Sequence, residues 1–170
     1  MEKVKIVLDA DVIIHFYKGG LLTFLPNILS EYEHIVLSHV RNEILYDIRS
    51  ALDNQKLLLK NITYVDFVPQ KEMAKEYAQL VKRFGKGESA CMAYCKYTNN
   101  VVGSSNLKDI KDYCAQNNIT YLTTCDFLYY AWRRQKMNIE EINNFISTVK
   151  DRGSKLPDFD VQTYQPNAML

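Results

Sequence analysis

The chain predicts an α/β fold, a three-layer α/β/α sandwich around a central parallel sheet of four to five strands. Two observations carry this. Apolar runs of strand length alternate with longer segments of helical periodicity, and such alternation implies a parallel sheet covered on both faces. Polar and acidic residues also recur where a run stops and a helical pattern begins, which is where open parallel sheets place their ligand crevice.

The first run, Val4 to Leu8, stops at Asp9 and passes into a helical pattern over 11–18, with a second helix expected over 21–31. A strand over 34–38 leads into LSHVRNEILYDI, where Val40, Ile44 and Ile48, with Leu45 and Leu52 beside them, predict a helix over 40–52. A third strand falls at 64–68, and Met73, Tyr77, Leu80, Val81 and Phe84 give helical spacing over 71–84. In GKGESACMAYCKY a helix over 88–97 places Cys91, Met92 and Cys95 on the stripe that begins at Glu88. Val101 and Val102 form a short buried strand within 100–104, and Leu107, Ile110 and Cys114 mark a helix over 107–116. The last strand, 119–122, precedes helices over 125–135 and 139–150. Residues 1–150 thus read as a single domain, and 151–170, with two of the four prolines and no period, as a C-terminal tail.

Composition bounds the function. At 170 residues the chain can bury a core of ordinary size, and 24% charged with 47% hydrophobic residues suits a soluble globular protein. It has no apolar run of about 18 residues and no basic-then-apolar leader, so neither a membrane span nor a signal peptide is expected. Cys91, Cys95, Cys114 and Cys125 lack C-x-x-C spacing, and buried thiols in a reducing cytoplasm are the expectation. A net charge of +1 decides nothing about nucleic acid; the local clusters Lys82, Arg83, Lys86 and Arg133, Arg134, Lys136 are more simply solvated helix ends. His15, His34 and His39 have no ligand spacing and are expected to be structural, and Tyr129, Tyr130 and Trp132 to be core or interface. The apolar density of IIHFYKGGLLTFLPNIL predicts self-association or a bound partner through 11–31, helped by the tail.

The acids are the chemical signal. Asp9 ends a strand, where a carboxylate serves core packing badly and a cation well, or caps the helix that follows. Glu43 falls at the edge of its helix's apolar stripe. Glu88 lies on a buried stripe at a helix N-terminus, and a buried unpaired charge is costly unless something compensates it. Asp109 opens the helix after Val101–Val102, beside Ser105 and Asn106.

Taken in order, IVLDADVII, SHVRNEI, GKGESA, SSNLKDI and ITYLTTCDFLYYA resemble the PIN domain, a nuclease fold, over about residues 4 to 135. SHVRNEI matches the family's small-x-V-x-x-E helix start. The resemblance implies an acidic site of Asp9, Glu43, Glu88 and Asp109, with Asn106 where family members carry Asp or Asn. It implies Mg2+ or Mn2+ held by Asp9, Glu88, Asp109 and Asn106, since oxygen ligands without His or Cys select hard cations. Asp11 and Ser105 would orient these ligands. The activity implied is a ribonuclease that hydrolyses RNA by a metal-activated water, with the toxin of a toxin–antitoxin pair, partnered by its antitoxin, as one role. Asn106 brings no charge, which keeps open a weakened PIN fold that only binds RNA or protein. LDADV also matches the start of haloacid-dehalogenase phosphatases, with Asp9 as nucleophile, Asp11 as acid, and Ser38 and Asp109 completing the site; the catalytic lysine then has no home, and Glu43 and Glu88 no task.

Overall fold

The computed structural model describes residues 3–170. Among the described residues five strands form one parallel sheet: β1 (Lys5–Leu8), β2 (Glu33–Leu37), β3 (Thr63–Val65), β4 (Val101–Gly103) and β5 (Tyr121–Leu122), in the order β3-β2-β1-β4-β5. Ile6 sits in register with both His34 and Val101. Successive residues of β1, β2 and β4 are buried, so both faces of the sheet are covered, as the sandwich requires. The order reverses at β1: β2 and β3 are added on one side, β4 and β5 on the other. The crevice beyond the C-terminal ends of β1 and β4 is therefore the topological switch point, where open sheets bind ligands.

The helices are α1 (Ala10–Lys18), α2 (Leu25–Ile28), α3 (Ser38–Glu43), α4 (Tyr46–Asn54), α5 (Lys71–Leu80), α6 (Lys86–Thr98), α7 (Leu107–Gln116), α8 (Thr124–Arg133) and α9 (Ile139–Asp151). None is long and apolar enough to cross a membrane among the described residues. Two departures from the sequence-based expectation stand out. The helix expected over 21–31 contracts to the four residues of α2, because Gly19 ends α1, Gly20 takes φ +73° and turns lead in from there. The helix expected over 40–52 breaks after Glu43, where Ile44 and Leu45 are extended (ψ 140° and 153°). The break turns Ile44 into the core, and Arg49 satisfies its carbonyl with a 2.9 Å hydrogen bond. A π-helical turn, Gln55–Leu59, extends α4 and ends at Lys60 in the left-handed region.

The apolar segment 11–31 does not stay exposed. Ile13, Phe16, Leu22, Leu25, Ile28 and Leu29 all lie in the core, which removes the reason to expect a partner there. Exposed leucines occur instead at Leu57, Leu58 and Leu59. The four cysteines are buried and unbridged. The tail after α9 folds back over α8: Tyr164 and Asn167 donate to the Asp126 carboxylate, and the Leu170 N–H donates to Tyr130 Oη.

Candidate metal centre at the switch point

Asp9 follows β1 and is the N-cap of α1, accepting the Ala10 N–H at 2.8 Å. Its own N–H donates to the Gly103 carbonyl at 2.8 Å, so the ends of β1 and β4 are joined across the crevice. Asp11, in the first turn of α1, accepts the Val12 N–H at 2.6 Å and, with its other oxygen, the Ser105 N–H at 2.8 Å. It thereby holds the β4–α7 loop in place. Ser105 Oγ donates to Thr124 Oγ1 and accepts the Thr124 N–H, both at 2.8 Å, and Thr124 Oγ1 meets His15 Nδ1 at 2.9 Å. Burial keeps His15 neutral, with its pKa lowered to about 4, so this chain of contacts adds no charge to the site.

Glu88 arrives from α6, whose first turn is set by Gly85 as N-cap. Its side chain is buried, and Oε1 has no hydrogen-bond partner among the described residues. Burial, then the negative charges of Asp9, Asp109 and Asp11, push its pKa up to about 8, while the Asn106 side chain acts the other way. Asp9 is pushed up to about 7, first by burial and then by Asp11, with a smaller contribution from Glu43. Asp11 is raised too, chiefly by burial. Two sequence-predicted acids, Asp9 and Asp109, thus both act on a third, Glu88, as does Asp11.

Glu43 stands at the margin. Its carboxylate is exposed, not on a buried edge, and accepts the Gly87 N–H at 3.0 Å, so it caps α6 from the end of α3. Asn106 turns its amide nitrogen toward the acids, donating to Asp109 Oδ2 at 2.8 Å. In this arrangement its amide nitrogen offsets negative charge on Asp109, at the position where the resemblance implies a metal ligand. Gly87 is a residue the sequence reading passed over. A Cβ there would lie 2.4 Å from Glu43 Oε2 and 3.3 Å from the Val40 backbone. Gly87→Ala is expected to force α3 and α6 apart and cost about 1–3 kcal/mol, read as a lower urea midpoint. A variant as stable as the parent would show that Glu43 is free to move aside.

No three Asp, Glu, His or Cys side chains among the described residues stand close enough to hold a metal ion as they are placed. The donor set nonetheless fits a hard cation. It is all oxygen, it carries a buried carboxylate oxygen without a partner, and its mutual repulsion is what a cation relieves. The phosphatase arrangement fits less well, because Asp9 is held toward its protonated form and the Ser38 hydroxyl is engaged by the Phe67 N–H. Of the two basic clusters, Arg134 pairs with Glu31, and Lys136 donates to the Asn27 carbonyl at the end of α2. Lys82, Arg83 and Lys86 stay exposed beside the N-terminus of α6. No protein-family model and no curated protein matches the chain.

Proposed function

We propose that the chain is a metal-dependent ribonuclease hydrolysing RNA phosphodiester bonds at the switch-point crevice. The observation that carries the reading is the buried Glu88 carboxyl, whose Oε1 has no partner among the described residues and which lies in the field of Asp9, Asp109 and Asp11. Asp9, Glu88 and Asp109 would hold Mg2+ or Mn2+, with Asn106 beside them. When bound, such an ion polarises a phosphoryl oxygen, lowers the pKa of water and stabilises the leaving oxygen. The chain's own residues do the rest. Asp11 and Ser105 fix the loop that carries Asn106 and Asp109, and Glu43 fixes the start of the helix that carries Glu88. The role of toxin in a toxin–antitoxin pair, with an antitoxin as partner in the cytoplasm, belongs to the same reading.

The test is cleavage of labelled RNA with Mn2+ and its loss in EDTA, beside a melting curve with and without Mn2+. The rise in melting temperature with Mn2+ is expected to grow as pH rises through about 7 to 8, since the ion must displace the protons of Asp9 and Glu88. No shift at any pH would remove the metal site. A binding module without hydrolysis is the second reading, favoured by the amide of Asn106 and by the engagement of Glu43 with Gly87. RNA that shifts in a gel and is never cut would select it. Asn106→Asp replaces a donor with a charged ligand beside Asp109, and is expected to tighten Mn2+ binding roughly tenfold in calorimetric titration. Unchanged affinity would place the ion away from the β4–α7 loop.

A further inference from the structure

Beside the acids lies a group of rings with no assigned task. His39 in α3, Phe67 after β3 and Tyr77 in α5 pack edge to face, with centroids 5.2–5.4 Å apart. Phe67 is buried and anchors the group; His39 and Tyr77 are only half-buried. Neither Tyr77 Oη nor His39 Nε2 has a hydrogen-bond partner among the described residues, and neither is among the buried polar atoms left unsatisfied. Both polar tips therefore face solvent. An apolar ring face that ends in an outward donor or acceptor is the surface a nucleobase uses, stacking on the one and bonding to the other.

The position of the cluster gives it a direction. His39 and Glu43 lie one turn apart on the same side of α3, and the Glu43 charge is felt at Tyr77. Glu43 holds Gly87, whose neighbour is Glu88. On the other flank, the α5–α6 connection exposes Lys82, Arg83 and Lys86, with Arg83 over the Phe84 ring at 5.1 Å. Rings next to cations, bordering an acidic crevice, are the pairing a single strand needs: stacking for its bases and positive charge for its phosphates. A duplex could use the cations but not the rings, because its bases are already stacked.

We infer that the His39–Phe67–Tyr77 cluster is a base-stacking subsite that receives an unpaired base of an RNA strand, with Lys82, Arg83 and Lys86 along the strand's backbone. Its purpose rests on the nuclease reading, but its geometry does not. An amphipathic protein helix is the competing occupant, and it would need an apolar groove in place of three interlocked rings.

A single-stranded RNA hexamer carrying 5-iodouridine at one position at a time tests this. Bound to the intact chain in EDTA at low salt and irradiated, it is expected to crosslink at Tyr77 or His39, and the same strand in a duplex is not. Tyr77→Leu is expected to weaken hexamer binding roughly tenfold, and Tyr77→Phe, which keeps the ring, by no more than about twofold. Crosslinks confined to other residues, a hexamer that does not bind, or a Tyr77→Leu variant that folds and binds like the parent would each overturn the inference. If Tyr77→Leu fails to fold, the crosslink map of the unaltered chain decides. A hexamer that crosslinks at Tyr77 yet survives Mn2+ leaves the subsite standing and removes the nuclease reading. Mn2+-dependent cutting with crosslinks elsewhere does the opposite.

Discussion

Glu88→Gln is expected to abolish the proposed Mn2+-dependent RNA cleavage while leaving the protein more stable than the parent in EDTA at pH 8.5. Both effects come from one cause. Glu88 is a buried carboxyl whose pKa stands at about 8, raised by burial and by Asp9, Asp109 and Asp11. Between its unfolded value near 4.5 and that value, the native state binds a proton the unfolded chain has already lost. Stability therefore falls as pH rises through this window, and the loss is complete above it. The glutamine keeps the volume and removes the charge, so the variant should escape the loss, by about 1 kcal/mol or more. It also removes an anionic ligand that the proposed ion requires. Thermal melts in EDTA at pH 5 and pH 8.5 check the stability half: the two proteins should be close at the lower value and diverge at the higher. A variant that melts well below its parent at pH 8.5 would make Glu88 a structural partner and leave the cation reading without its main support.

Asp126→Ala is expected to cost about 3 kcal/mol or more, because it strips several buried donors of their acceptor at once. The carboxylate is wholly buried and accepts five hydrogen bonds: from the Thr123 N–H and hydroxyl, Tyr164 Oη, and the backbone and side-chain N–H groups of Asn167. Alanine leaves all five donors to find other partners. The tail loses its main polar anchor, so residues 161–170 should become the first site of limited proteolysis while α8 survives. Asp126→Asn should cost less, since an amide oxygen still accepts. Equal protease resistance in Asp126→Ala and the parent would mean that the Tyr164–Tyr129 ring contact and the Leu170–Tyr130 hydrogen bond hold the tail without it.

Much of the fold was legible because period and burial agree. The Val4–Leu8 run, the Glu88 stripe and the Val101–Val102 pair each became the element their pattern suggested. The misses have physical reasons. Residues 21–31 are apolar because they fill the core from turns, and composition does not separate that from a helix. The Ile44–Leu45 break depends on Arg49 reaching back to a carbonyl, a contact that periodicity does not contain. In the candidate site, the strand-end and helix-start acids could be read from where the patterns change. The task of Glu43 could not, because its partner, the Gly87 N–H, comes from a helix 44 residues away. Asp126 was overlooked although TTCD has the spacing of a capping box, which the structure contains. Its burial comes from the tail, which carries no period to announce it.

The first turn of α8 is gripped from both sides. Thr124 reaches the crevice loop through Ser105, and Asp126, two residues on, carries the tail. In mechanical terms that turn is a bracket. A pull applied at residue 170 is delivered first to Tyr130 and Asp126; among the described residues no strand pairs with the tail, and β5 meets it only through the Tyr121 hydroxyl on Asn167. Under load the tail should peel away one hydrogen bond at a time while the five strands keep their register.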